Sequence, residues 1–210
     1  MKPFLFCVCA VLLLCAVGSA APTYLGPSGL AAVPEPKAMG MGDYNLFYNF
    51  ISASTNVSLY GGNVGLGEKT PIEVGATVWK PEGFGSETLL NAKVAFTTGE
   101  KEPIDVAVGV IDFSDAVDRT LYLVAGKVIN AKDAGKGGIP AIYGIAGLGS
   151  SNALLDGLFV GLSADLRSGL NVHLEYDSED VNLGVNYRLS DALNLRADLV
   201  SDETGVGISY

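Results

Sequence analysis

The sequence predicts an all-β fold, an antiparallel up-and-down transmembrane β-barrel of about 12 strands. Three observations lead there. After residue 42 apolar side chains return on every second position, the period of a strand with one apolar and one polar face. The alternating runs are long: 43–210 divides into about 14 residues per strand and turn, and a membrane strand needs about 9–11. Glycine is abundant, 27 of 210 residues, against a usual ~7%, and it sits inside the alternating runs rather than in a repeat.

Residues 1–20 precede the fold. Lys2 gives a positive start, Phe4 to Val17 an apolar stretch, and Gly18-Ser19-Ala20 a small-residue cleavage site before Ala21. This pattern is an export signal. All three cysteines (Cys7, Cys9, Cys15) lie within it, so no disulfide is available to the exported chain. Residues 21–42, rich in Pro, Gly and Ala, read as an irregular lead-in, and 43–210 as the barrel.

The strands are expected at 43–51, 56–66, 71–80, 88–98, 103–113, 120–130, 139–148, 157–166, 170–177, 180–188, 192–200 and 204–210. Turn chemistry separates them, as in Gly67-Glu68-Lys69-Thr70, Arg167-Ser168-Gly169 and Ser201-Asp202-Glu203. Leu158, Val160, Leu162, Ala164 and Leu166 alternate with Phe159, Gly161, Ser163 and Asp165. Leu170, Val172, Leu174 and Tyr176 alternate likewise with Asn171, His173, Glu175 and Asp177. The second face is small or charged, which suits a crowded, wet lumen better than a solvent surface. The apolar face is then expected to meet outer-membrane lipid. The rival is a secreted soluble β-barrel or sandwich that turns the same face inward around a small ligand.

On this reading Asp43, Glu73, Lys93, Asp105, Lys127, Asp165, His173, Glu175, Asp177, Arg188, Arg196 and Asp198 face the lumen. The aromatics Tyr44, Tyr48, Trp79, Tyr176, Tyr187 and Tyr210 form interfacial girdles. The lumen charges carry a small acidic excess, and a water-filled lumen would prefer cations. Whether the lumen is open or filled by its own side chains stays undecided. An even strand count places both termini on the periplasmic side. The longest join, Ala131–Gly138, then falls on that side too, against the usual pattern.

Catalysis, metal binding and cofactor binding are not expected. His173 is the one histidine, and Gly161-Leu162-Ser163-Ala164-Asp165 lacks the second glycine of a nucleophile elbow. Gly65–Thr70 (GLGEKT) places Glu68 between Gly67 and Lys69, so it is no phosphate loop. The acidic run Glu175–Asp180 lacks the spacing and glycine of a calcium loop. The formal net charge of −10 excludes nucleic acid as a partner.

Two stretches resemble a known family. Gly26–Phe50 (GPSGLAAVPEPKAMGMGDYNLFYNF) resembles the segment that leads into the first strand of YjbH-like outer-membrane barrel proteins. Leu170–Leu189 is similar to that family's Glu-Tyr-Asp followed by an Asn-x-Gly-x-x-Tyr-Arg strand. Two departures stand beside the likeness: this chain is a single compact barrel, and Val33-Pro34-Glu35-Pro36 replaces the family's Pro-Thr-Ala. The resemblance implies a bacterial outer-membrane location and an association with exopolysaccharide export. Its expected partners are envelope polysaccharide and the barrel-assembly machinery, which would engage the last strand ending at Tyr210.

Overall fold

A computed structural model describes residues 21–98, 103–130, 140–150, 154–166 and 169–210. Twelve strands form one closed antiparallel sheet: β1 (Tyr44–Ser52), β2 (Val57–Leu66), β3 (Ile72–Pro81), β4 (Glu87–Thr98), β5 (Ile104–Ile111), β6 (Thr120–Val128), β7 (Ile142–Ser150), β8 (Asp156–Asp165), β9 (Leu170–Tyr176), β10 (Val181–Arg188), β11 (Asn194–Val200) and β12 (Glu203–Ser209). Each pairs with its sequence neighbours, and β1 closes on β12 from Phe47↔Ser209 to Ser52↔Thr204. Two further bonds complete the seam, Leu46 N–H to the Tyr210 carbonyl and Tyr210 N–H to the Leu46 carbonyl, both 2.8 Å. Closure leaves no strand edge unpaired.

The strands alternate as the sequence requires, and the apolar set points outward. Leu46, Leu121, Leu148, Leu158, Leu183, Leu199 and Ile208 are each about half exposed. Glu73, Lys93, His173, Glu175, Arg196 and Asp198 are buried inside. A soluble β-domain would show the reverse.

Turns are short at both ends of β10–β12. Val200 pairs with Glu203 across Ser201 and Asp202, both left-handed (φ 51° and 64°), the two-residue turn whose twist matches that of a hairpin. Residue 43 and Tyr210 share one end of the barrel, called here the terminal end. The β6–β7 connection lies there as well, and the expected long join at 131–138 lies outside the described residues.

The lead-in is not outside the barrel. Residues 21–39 run through its interior, and Thr23, Tyr24, Ser28, Leu30, Ala31, Val33 and Met39 are all buried there. The segment folds back on itself, with bridges Pro22↔Ser28 and Gly29↔Pro34 and the bonds Tyr24 N–H to Ala31 O (2.9 Å) and Leu30 N–H to Val33 O (3.0 Å). Toward the far end two apolar clusters seal it in. One joins Leu30 and Val33 to Ile111, Tyr122, Val124, Leu155 and Phe159, and the other joins Tyr24 and Ala31 to Leu59.

Candidate functional site

An irregular segment inside a barrel carries backbone groups that water can no longer satisfy, so the wall must satisfy them. Nearly every buried charge of the lumen does this. Glu73 on β3 accepts from Ser28 N–H (2.7 Å), the Ser28 hydroxyl (2.6 Å) and Met39 N–H (3.2 Å). Lys93, facing Glu73 across β3 and β4, lies 3.4 Å from its carboxylate. The Lys93 ammonium donates to the Ser28 carbonyl (3.0 Å), the Ser28 hydroxyl and the Glu35 carbonyl (3.4 Å).

Glu175 on β9 forms a second node. Its carboxylate accepts from Ala31, Ala32 and Val33 N–H (3.1, 2.7 and 3.4 Å), three successive amides that curl around it as a nest. Asn182 from β10 adds a fourth donor at 3.1 Å. Amide side chains hold the segment's carbonyls: Asn63 donates to Gly26 O (2.7 Å), and Asn91 and Thr77 donate to Leu25 O (2.9 and 3.0 Å).

The third node is on β9 and β11. Asp198 lies 3.0 Å from both His173 Nε2 and Arg196 Nε, and its second oxygen accepts from the Tyr24 hydroxyl at 2.7 Å. Arg196 donates onward to the carbonyls of Pro22 and Leu30, and its guanidinium lies 5.1 Å from the centre of the Tyr24 ring. The wall makes room by omission: a Cβ at Gly205 would collide with the Tyr24 hydroxyl, and one at Gly161 with the end of Leu30. These glycines answer to the plug, and the composition anomaly of the sequence is in part its footprint.

Below the seal, toward the terminal end, a polar cavity of about 620 Å³ remains between plug and wall. Lys37, Asp165, Asn171, Asn186, Arg188 and Asn194 line it, with one Glu35 carboxylate oxygen left without a hydrogen-bond partner.

The expected lumen residues therefore divide by role. Glu73, Lys93, Glu175, Arg196 and Asp198 grip the plug, and His173 supports Asp198. Asp105 binds the Tyr143 hydroxyl (2.6 Å) and Thr97 (2.7 Å), and Asp177 accepts from Asn182 (2.7 Å). Asp165 and Arg188 face the cavity. Asp43 closes the turn ahead of β1 by accepting from Gly40 N–H (3.1 Å).

Two assignments change. Lys127 faces outward, because in β6 the inward series is Thr120, Tyr122, Val124 and Gly126, and Lys127 shares the exposed parity of Leu121 and Leu123. Trp79 faces inward, on the parity of Glu73 and Thr77, and packs beside the Tyr24–Ala31–Leu59 cluster instead of joining a girdle. Among the other aromatics, Tyr44 and Tyr210 meet at the terminal end with ring centres 6.4 Å apart. Tyr187 lies near that end of β10, and Tyr176 ends β9 at the far end, donating to Ser178 O (2.8 Å). Tyr48 springs from mid-strand in β1, so it is not at a strand end; its hydroxyl lies 3.2 Å from that of Ser58.

A solved structure is similar to this one in fold. It is a KdgM porin, 10% identical, with a TM-score of 0.51 over 79% of this chain and 98% of that one. In fold, this is a porin-like barrel. No family model matches the chain, and no curated protein does.

Among the described residues the site offers no engaged nucleophile. Ser163 stands opposite His173 in the β8–β9 register, yet His173 Nδ1 has no hydrogen-bond partner. Ser28, which does touch a lysine, is sealed at 1% exposure. Among the described residues no group of three His, Cys, Asp or Glu side chains is placed to hold a metal ion.

The plug's part in the lumen was not readable from its own sequence, because it has no periodicity. The wall held the signal. Phe47, Leu59, Leu89, Tyr122 and Phe159 are large apolar residues on the polar face, and they needed an apolar partner in the lumen.

Proposed function

We propose that this chain is a non-enzymatic outer-membrane β-barrel, a structural envelope component whose lumen is closed at rest by its own residues 21–39. One observation carries the reading: most of the side chains that need water or a charge partner point inward, and an outer face dominated by Leu, Val, Ile, Phe and Tyr points outward. In water that outer surface would far exceed the apolar patches monomers expose; in lipid it is the required one. Residues 1–20 act as the export signal, cleaved after Ala20, and the terminal end faces the periplasm. Insertion uses the assembly machinery acting on the strand that ends at Tyr210.

A small-pore role is the second reading, supported by the porin-like fold and by the polar cavity at the terminal end. Conduction then requires the plug to move. The resemblance to YjbH-like proteins in the lead-in and in Leu170–Leu189 supports membership of that family and an association with envelope polysaccharide.

The test is the gel mobility of residues 21–210 folded in detergent, with and without boiling. A heat-dependent shift is expected from a closed, detergent-resistant barrel. A chain that stays soluble in plain buffer and shows no shift would instead be the secreted, ligand-binding alternative.

A further inference from the structure

Every pair of neighbouring strands but one is also consecutive in the chain. The exception is the seam where β12 meets β1. Its partners, from Phe47↔Ser209 to Ser52↔Thr204, come from opposite ends of the sheet's sequence, and no turn holds them together. Joining residues so far apart costs more chain entropy than closing a hairpin. Side chains on the lumen side of β12 give the seam little help, because that strand turns Gly205, Gly207 and Ser209 inward.

The plug stands where those side chains are missing. The Tyr24 hydroxyl lies against Gly205. Around the Tyr24–Ala31–Leu59 cluster pack Val200 from β11, Ile51 from β1, Val57 from β2 and Trp79 from β3. Polar contacts span the same strands. On one side of the seam, β11 holds the plug through Arg196, which donates to the Pro22 carbonyl, and Asp198, which accepts from the Tyr24 hydroxyl (2.7 Å). On the other side, Asn91 of β4 and Thr77 of β3 donate to the Leu25 carbonyl (2.9 and 3.0 Å), and Asn63 of β2 donates to the Gly26 carbonyl (2.7 Å). One short run of the plug thus grips the wall on both sides of the seam.

We propose that residues 22–26 are a strap across the closing seam, tying β11 to β2–β4, so that the plug holds the barrel shut as well as filling it. Ladder bonds alone still close the sheet, but without the strap they open more often. A plug that leaves the lumen therefore loosens the β1–β12 seam in preference to the hairpins. The strap rests on the plug being seated at rest, which protease protection of residues 21–39 in the wild type reports separately.

The experiment is hydrogen exchange, read peptide by peptide in residues 21–210 folded in detergent, with the boiling gel showing that each variant is folded. Tyr24→Ala removes the ring beside Gly205 and the bond to Asp198, and Tyr24→Phe removes the bond alone. Exchange in β1 and β12 should quicken about tenfold in Tyr24→Ala and severalfold in Tyr24→Phe, while β6 and β7 stay within about twofold of wild type. Tyr48 and Ile208 face each other across the seam on the outer surface. Opposed Cα atoms lie about 4.5–5.5 Å apart, within the reach of a disulfide. All three native cysteines fall in residues 1–20, so a bridge in Tyr48→Cys/Ile208→Cys has no competitor. Added to Tyr24→Ala, it should restore slow exchange at the seam. The same bridge between β6 and β7, Leu123→Cys/Leu148→Cys, should not. Equal quickening in all strands, or equal rescue by either bridge, overturns the strap, because Tyr24 would then serve general stability. Unchanged exchange at β1 and β12 overturns it as well. Cleavage of residues 21–39 in the wild type as fast as in the boiled chain removes the seated plug itself, and the strap with it.

Discussion

Glu175 holds three successive backbone amides of the plug by itself. Three consecutive amides of the plug converge on one carboxylate, and no other acceptor stands near Ala31–Val33 among the described contacts. Removing the carboxylate leaves those donors buried and unpaired, at roughly 1–3 kcal/mol each where water cannot reach them. Water from the cavity below will relieve part of that, so a loss of about 3 kcal/mol is expected, or about a hundredfold in the population of displaced plug. Glu175→Ala should therefore speed protease cleavage within residues 21–39 about a hundredfold while the boiling shift of the barrel persists. Cleavage at the wild-type rate would mean that the Glu73 and Asp198 nodes hold the plug without Glu175.

At the scale of an element, the β5–β6 loop shows how a far-end connection orders itself without a core. Asp112, at φ 56°, turns the chain out of β5, and its carboxylate then accepts from the Ser114 hydroxyl (2.6 Å) and from Ala116, Val117 and Asp118 N–H (3.1, 2.6 and 3.1 Å). Burial alone would raise its pKa, but these donors outweigh burial and hold the carboxyl below the usual aspartate range. A carboxylate so held stabilises fully above the unfolded value near ~4, and that contribution is lost as the pH falls through the folded value. Asp112→Asn keeps the shape and removes the charge. Hydrogen exchange at Ala116 and Val117, corrected for intrinsic rates, should be about tenfold faster in the variant at pH 6, from about 1.5 kcal/mol of charge-assisted bonding. The two proteins should converge near pH 2. A difference that survives at low pH would show that the backbone turn, and not the charge, orders the loop.

The strands were open to inspection in the sequence because each displays its period directly, and all twelve fall within three residues of the expected bounds. Lys127 and Trp79 were legible by the same parity count, since one shares its face with Leu121 and Leu123 and the other with Glu73 and Thr77. Chemical type suggested otherwise in both cases: a lysine reads as a lumen charge and a tryptophan as a girdle. The plug was illegible for a different reason. Its order comes from wall residues such as Glu73, Asn91, Glu175 and Arg196, all more than thirty positions away, and nothing local records such contacts.

For the whole molecule, the wall and the plug are complementary in a way that decides what the empty barrel would do. Of the lumen charges expected from the sequence, with Lys127 now outside and Asp43 at the rim, the wall turns Glu73, Asp105, Asp165, Glu175, Asp177 and Asp198 inward against Lys93, Arg188 and Arg196. The plug answers the acids chiefly with backbone N–H groups, so it screens the excess without cancelling it with cations. Deleting residues 22–39 removes that screen and both apolar seals at once. The strands keep every ladder bond, because the plug contributes none to the closed sheet. The deleted barrel should thus still show the boiling shift and should gain a steady conductance in planar bilayers that the full chain lacks. Across a salt gradient its reversal potential should mark cations as the preferred ions, and the preference should weaken in Glu175→Gln on the same background. An anion preference would place the controlling charges at Arg188 and Arg196 near the mouth. A deleted barrel that folds and stays silent would mean that the inward Phe47, Leu59, Tyr122 and Phe159 collapse to close the lumen, and the protein would then be a structural barrel with no pore in it.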